Sequence, residues 1–108
     1  MELLTIQEQI IMKQIWAKEG DISLKELIES VPYDYEKGDH YNRNTIATFV
    51  RRLKRKGYVT TYHQKRECYI HPLHSIEAII EYQIRFFADL CFDGDVGKVK
   101  SIVNSISE

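Results

Sequence analysis

The sequence is poor in the features that mark secreted, membrane-spanning and disulfide-rich proteins. It has two cysteines and two prolines in 108 residues, and the cysteines, Cys68 and Cys91, lie far apart. In a reducing compartment we expect both to be small buried apolar side chains, without a disulfide between them. No apolar run approaches the ~18 residues of a transmembrane helix, and the N-terminus lacks the cationic start of a signal peptide. We therefore expect a cytoplasmic protein that does not contact a membrane.

Groupings that carry catalysis or bind metal are also missing from the sequence. It has no recognisable Ser/His/Asp grouping, paired-carboxylate motif or glycine-rich phosphate loop. The two cysteines do not cluster, and His71 and His74 could share a metal ion only by unusual geometry. We expect no enzymatic activity, no cofactor and no metal site.

One stretch of the chain lacks acidic residues altogether. Residues 43–66 contain eight Lys or Arg and no Asp or Glu, whereas the other residues contain seven basic and all 16 acidic ones. The formal charge is therefore +8 inside this basic block and −9 outside it. Such a block is typical of a site for a polyanion, and nucleic acid is the first candidate. A solvated basic helix face is the other interpretation.

Capping signals predict two helices at the start of the chain. The segments Thr5–Glu8 and Ser23–Glu26 both have the spacing of a capping box. Gly20 is placed to end the first helix, and the second should end at about Ser30, before a proline. Residues 32–41 have no helical period and predict a loop.

A third helix and a hairpin occupy the basic block. Asn42 is a good N-cap, and Gly57 is placed to end the helix in a left-handed conformation. Residues that recur at helical spacing form the stripe expected to face the core, namely Ile46, Phe49, Val50 and Leu53. The aromatic and β-branched residues between Tyr58 and Ile70 indicate a β-hairpin, which Pro72 closes.

The last third of the chain predicts two helices with more apolar residues than a small core needs. Ser75 caps the fourth helix, Asp93-Gly94-Asp95 ends it, and a last helix covers roughly 96–106. An apolar face left over after the core is complete needs a partner, and a two-fold dimer is the commonest solution. The candidate dimerisation residues are Ile80, Ile84, Phe87, Leu90, Val99 and Val103.

The predicted order of elements is that of a winged helix-turn-helix followed by dimerisation helices, a mostly α fold with a small β-hairpin. We expect a DNA-binding domain at residues 1–73 and a helical dimerisation segment at residues 74–108. With its apolar stripe inward, the third helix presents short polar side chains toward base edges and cationic ones toward phosphates. Arg52 or Arg55 could instead pair with a carboxylate elsewhere. The candidate DNA-binding residues, including the wing tip, are Asn42, Arg43, Asn44, Thr45, Ala47, Thr48, Arg51, Arg52, Arg55, Lys65 and Arg66.

Three motifs in this order resemble those of the penicillinase repressor family. They are the Leu-Thr-x-x-Glu-x-x-Ile-Met-x-x-Ile-Trp string at 4–16, the Thr-Ile-x-Thr segment with Arg-Leu-x-x-Lys-Gly-Tyr at 45–58, and Arg-x-x-x-Tyr-x-Pro-Leu at 66–73. The resemblance implies a dimeric winged-helix repressor of palindromic operators. It also implies base-facing positions on the third helix and backbone contacts at Arg52 and the wing.

Departures from the family pattern affect the expected partners. The loop before the third helix is longer than usual, and Lys65 stands where glycine is common. Members usually add a further helix beyond position 108, so a smaller dimer is expected. Inducible members are inactivated by proteolysis in the helix that here spans 96–106, which makes a sensor protease a candidate partner, although no cleavage sequence is matched there.

Two functions therefore follow from the sequence. The first is a sequence-specific repressor that binds double-stranded operator DNA as a homodimer. The alternative is a winged helix used as a protein-interaction module, an antirepressor or adaptor that does not bind DNA.

Overall fold

The computed structural model describes residues 2–31 and 41–107 and is dominated by helices. The elements in chain order are α1 (Ile6–Ala17), β1 (Ile22–Ser23), α2 (Leu24–Ser30), α3 (Arg43–Lys56), β2 (Val59–Gln64), β3 (Glu67–Pro72), α4 (Ile76–Phe92) and α5 (Val96–Ile106). They divide into two compact units, Met1–His74 and Ser75–Glu108. The fold class is the predicted one, a winged helix with C-terminal helices. Residues 32–40 of the predicted loop lie outside the described residues.

Helix boundaries follow the capping residues of the sequence. Both capping boxes are formed, because the Thr5 and Ser23 hydroxyls accept the amides of Glu8 and Glu26 while those carboxylates accept in return. Gly57 ends α3 with φ 90°, as predicted. The first helix ends earlier than predicted, with Lys18 as its C-cap.

The hairpin is confirmed, and it belongs to a three-stranded antiparallel sheet in the order β1-β3-β2. The third strand was not predicted. It consists of Ile22 and Ser23, which pair with Ile70 and Tyr69. A two-residue strand has no alternation to detect, and here the same residues also begin a helix.

The core of the first unit lies where α1, α2 and α3 meet the sheet. Ile46, Val50 and Leu53 of α3 are at most 5% exposed, as predicted for the apolar stripe. Phe49 is a correction to that prediction, because it is only half-buried. Its ring meets Tyr41 edge-on at 6.4 Å between centroids.

A buried ion pair joins the end of α3 to the start of α1. Lys56 Nζ lies 2.7 Å from Glu8 Oε1, and the two side chains are 8% and 1% exposed. Lys56 also donates to the carbonyl oxygen of Leu3 at 3.1 Å. Tyr58, just after the end of α3, adds to this link, because its hydroxyl donates to the Glu2 carbonyl oxygen. The orientation of α3 is thus fixed at its C-terminal end.

The second unit consists of α4 and α5. The Ser75 hydroxyl accepts the Ala78 amide at 3.1 Å, and Asp93 and Gly94 at the end of α4 have positive φ, so both predicted boundaries are confirmed. Cys91 on α4 is exposed and Cys68 in the first unit is half-buried, so the expectation of two buried cysteines is wrong. No helix in the described residues has both the length and the apolarity to cross a membrane.

Candidate nucleic-acid interface

The outward face of α3 carries a row of polar side chains, two of which are hydrogen-bonded to each other. The Thr48 hydroxyl donates to the main-chain carbonyl oxygen of Asn44 at 2.9 Å, and Arg51 Nη2 donates to the same hydroxyl at 3.1 Å. Asn44 and Arg51 are exposed and Thr48 is half-buried, while Arg55 continues the row one turn further along. The row therefore points to solvent, on the side of α3 opposite its buried stripe.

The first turn of α3 is set by its cap. The Asn42 side-chain oxygen accepts the Thr45 amide at 2.8 Å, so that oxygen is used within the helix. The side chains of Asn42 and Arg43 are exposed, and Thr45 and Ala47 are half-buried. Short side chains at this end allow the helix backbone to approach a flat surface closely.

The arginines of α3 are not neutralised by the described carboxylates. The ion pairs within residues 2–31 and 41–107 are Lys18–Glu26, Lys56–Glu8, His71–Asp21 and Arg85–Glu81, and none includes an arginine of α3. The Arg52 guanidinium lies 5.6 Å from the centroid of the Phe49 ring, a cation–π contact that leaves its charge in place. The predicted alternative of paired Arg52 or Arg55 is therefore not seen in the described residues.

One member of the basic block faces inward. Lys56 is buried against Glu8, so its charge is unavailable to a ligand and the block presents seven cationic side chains rather than eight. Burial raises the pKa of the Glu8 carboxyl, but hydrogen bonds from Lys56 and the Thr5 amide, together with the lysine charge, outweigh it. The pKa of Glu8 ends below its usual value, so the carboxyl is ionised at neutral pH.

The hairpin tip is a two-residue turn built from Lys65 and Arg66. The turn closes the pairing of Gln64 with Glu67, and both central residues have positive φ, 52° and 66°. Type I′ turns need this backbone, which Asn and Gly adopt more readily than Lys or Arg. Both cationic side chains are exposed at the wing tip.

A groove of about 210 Å³ runs between α3 and the hairpin; we call it the helix–wing groove. Lys54 Nζ donates to the Thr61 hydroxyl at 3.2 Å and so bridges α3 to β2. The sequence did not predict that Lys54, Thr61 and His63 border this groove, although Lys54 lies on the same helical stripe as Ala47. The residues that line it are Leu24, Ala47, Val50, Arg51, Lys54, Thr61, His63 and Cys68.

A second unpredicted cluster lies on the other face of the sheet. The Asp21 carboxylate accepts from the Tyr62 hydroxyl at 2.7 Å and contacts His71 Nδ1 at 2.6 Å. These partners hold the pKa of Asp21 below its usual value, with the Tyr62 hydrogen bond as the largest cause, and Asp21 raises the pKa of Tyr62. The Tyr62 ring also stacks on Tyr69 at 5.5 Å. The cluster joins the segment before β1 to β2 and β3.

The predicted dimerisation residues divide by exposure. Ile80, Phe87, Leu90 and Val103 are 39% to 66% exposed, whereas Ile84 and Val99 are half-buried. Two of the six, Ile80 and Ile84, line an apolar groove of about 600 Å³ within the second unit. Its lining is Ile76, Ile80, Ile84 and Val96, with Glu77, Glu81 and Arg85 at the rim.

Comparison with protein-family models gives a match over most of the chain. A family model described as penicillinase repressor matches residues 4–108, which include both units. No curated protein is similar enough to the chain to count as a match.

Proposed function

Since the chain belongs to the penicillinase repressor family, whose members repress transcription, we propose that it binds double-stranded DNA as a homodimer at a palindromic operator. In this mechanism α3 enters the major groove and the wing tip lies against the adjacent backbone or minor groove. The bound dimer blocks polymerase sterically. Half-sites about one helical turn apart, roughly 34–36 Å, would match two copies related by a two-fold axis.

The observation that carries the proposal is the row Asn44–Thr48–Arg51–Arg55 on α3. Its two arginines and Asn44 are exposed, and neither arginine forms an ion pair within the described residues. Asn can pair with adenine and Arg with guanine in the major groove, and a Thr methyl can touch thymine. Arg52 and Arg43 stand beside this row, where they can reach phosphates. A helix face that only contacts solvent does not need positive charges without counter-charges. In a repressor family, such charges can bind DNA phosphates.

The proposed homodimer is supported by the apolar side chains of α4 and α5. Phe87 is 53% exposed, Leu90 66% and Val103 53%, on two helices that a single copy leaves partly uncovered. Large exposed apolar patches mark interaction sites, and a two-fold contact covers the same patch on both copies. A sensor protease that cleaves within 96–106 remains a prediction that rests on the resemblance alone.

The direct test is the double variant Arg51→Ala/Arg52→Ala in a gel shift against the upstream DNA of its own gene. We expect binding to be lost at moderate salt, with the far-ultraviolet circular dichroism and unfolding midpoint unchanged. The matched control is Lys13→Ala/Lys98→Ala, which removes the same charge from exposed positions on α1 and α5. Retained affinity in the arginine variant would contradict the assignment of α3. Wild-type protein that binds no duplex even at low salt would instead support the protein-interaction module.

Phe87→Asp tests the dimer. Sedimentation should show a folded monomer, and operator affinity should fall by about 10²- to 10⁴-fold because two half-sites are no longer bound together. Ser101→Asp places the same charge on the polar side of α5 and should remain a dimer. An unaltered dimer in the Phe87 variant would remove this face from the interface.

A further inference from the structure

The lining of the helix–wing groove is divided by chemistry. Its floor is apolar, formed by Leu24, Val50 and Ala47, with the half-buried Cys68 beside them. Its rim carries Lys54 together with Arg51 and His63, all exposed. An occupant that suits the groove must therefore have an apolar part and an anionic part close together.

The rim carries positive charge, and no described carboxylate forms an ion pair with its Lys54 or Arg51. Lys54 Nζ is held 3.2 Å from the Thr61 hydroxyl, a neutral partner. Arg51 is likewise held by a hydroxyl, that of Thr48, at 3.1 Å. Neither cation belongs to an ion pair within the described residues. These contacts fix the direction of the two side chains and leave their positive charges for an anion.

The groove also adjoins the face proposed to read bases. Ala47 and Arg51 belong both to its lining and to the predicted DNA-binding residues of α3. When a helix lies in the major groove and a wing lies over the next minor groove, the strand that separates the two grooves must cross between helix and wing. The sugar-phosphate chain of that strand alternates an apolar deoxyribose face with an anionic phosphate, which matches the floor and the rim.

We propose that the helix–wing groove receives one deoxyribose-phosphate segment of the operator, with Lys54 binding the phosphate. This inference rests on the proposed function and adds residues to its site. Thr61 is a positioning residue that holds Lys54 over the groove, and His63 offers a second donor from the opposite side. Contacts of this kind fix the register of the protein on DNA without reading sequence.

The test is Lys54→Gln, measured by fluorescence anisotropy on an operator duplex and on a scrambled duplex across a salt series. Each phosphate contact contributes about 0.9 to the slope of log K against log salt, so a dimer should lose about 1.8. Affinity should fall on the order of tenfold at physiological salt, equally on both duplexes. Lys13→Gln, which changes an exposed lysine of α1, should leave the slope unaltered.

A chemical change in the DNA sharpens the test. Neutral methylphosphonates placed singly along the operator will weaken wild-type binding at each contacted phosphate. At the phosphate that Lys54 binds, the substitution should have no further effect in the Lys54→Gln protein, because the contact is already absent. Thr61→Val, which removes the hydroxyl beside Lys54, should weaken binding to a smaller extent with the same pattern.

The outcomes separate this inference from the proposed function. Wild-type protein that binds no duplex would overturn both. Wild-type binding with an unaltered salt slope in Lys54→Gln, or methylphosphonate effects that stay additive at every position, would overturn the groove assignment alone. A loss confined to the operator duplex would also overturn it, because it would make Lys54 a base contact.

Discussion

The winged-helix unit and the helical unit differ in where their apolar side chains end up. In the first, residues from α1, α3 and β3 converge until Ile11, Leu53 and Ile70 are at most 1% exposed. In the second, Leu90 and Ile106 are 66% and 77% exposed in the single chain. The first unit completes its core from its own residues, whereas the second leaves part of its apolar face exposed in the single chain. In the proposed function, DNA recognition and dimer assembly therefore belong to separate parts of the chain.

The first unit contains a buried ion pair and the second an exposed one. Breaking these pairs should give the largest difference in unfolding free energy between the units. Lys56→Met leaves the Glu8 carboxylate buried without its cation and should cost about 3–5 kcal/mol of unfolding free energy. In the second unit, Arg85 and Glu81 are both about two-thirds exposed at 3.0 Å, so Arg85→Met should cost at most ~0.5 kcal/mol. Urea unfolding followed by the fluorescence of Trp16, the single tryptophan, measures the first unit.

A double variant separates the lost pair from the lost packing. Glu8→Gln/Lys56→Met removes both charges and should recover part of the stability lost in Lys56→Met, because no charge is then left buried. If the double variant is less stable than the single one, the ion pair is not the cause of the loss.

The same leucine-to-alanine truncation in each unit should give the next largest difference in stability loss. Leu53→Ala opens a cavity under α3 and should cost about 2–5 kcal/mol. Leu90→Ala, measured at a dilution at which the protein is monomeric, should change stability by ~0.5 kcal/mol or less, because the side chain is mostly in water. Calorimetry on both variants checks this, and similar losses would mean that Leu90 is covered within one copy.

How much of this could be predicted from the sequence depends on sequence separation. Caps at Thr5, Ser23 and Asn42 were predicted correctly because each bonds an amide three residues away. The apolar stripe of α3 was found because helical periodicity is also local, although its edge at Phe49 was misjudged.

The parts that were missed depend on residues distant in the chain. Lys56 was counted in the basic block because its partner lies 48 positions away. The Asp21–Tyr62 hydrogen bond spans 41 positions, and the helix–wing groove forms only when α3 and β2 pack. No local pattern carries such information. Charge counts over a window found the basic block but could not tell which of its charges face outward.

Acid should weaken the first unit by a smaller amount, through Glu8 and Asp21. Both carboxyls have a lowered pKa in the folded protein, so the unfolded state binds more protons as pH falls. Their contribution is complete above the ordinary pKa values, 4.5 for Glu8 and 3.8 for Asp21, and is lost as pH falls through the folded values. Urea midpoints measured from pH 7 to pH 3 should decline.

Substitution identifies the carboxyl responsible for this decline. The slope of stability against pH should be smaller in Glu8→Gln and in Asp21→Asn than in the wild type, because each variant has one group fewer to protonate. Asp89→Asn, an exposed residue of α4, is the control and should keep the wild-type slope. Equal slopes in all four proteins would contradict the linkage.

The smallest effect concerns two turns with positive φ, one in each unit. The turn after α4 uses Asp93 and Gly94, residue types that adopt this backbone easily, whereas the wing tip uses Lys65 and Arg66. Left-handed backbone costs an ordinary residue about 1–2 kcal/mol, so Lys65→Asn/Arg66→Gly should raise stability by ~1 kcal/mol. The same variant should bind duplex DNA more weakly and with a lower salt slope, because two exposed charges are lost from each wing. Lys65→Asn alone should give part of both changes. A stabilised protein with undiminished affinity would show that the wing tip does not touch DNA, and weaker affinity without added stability would show that the turn is not strained.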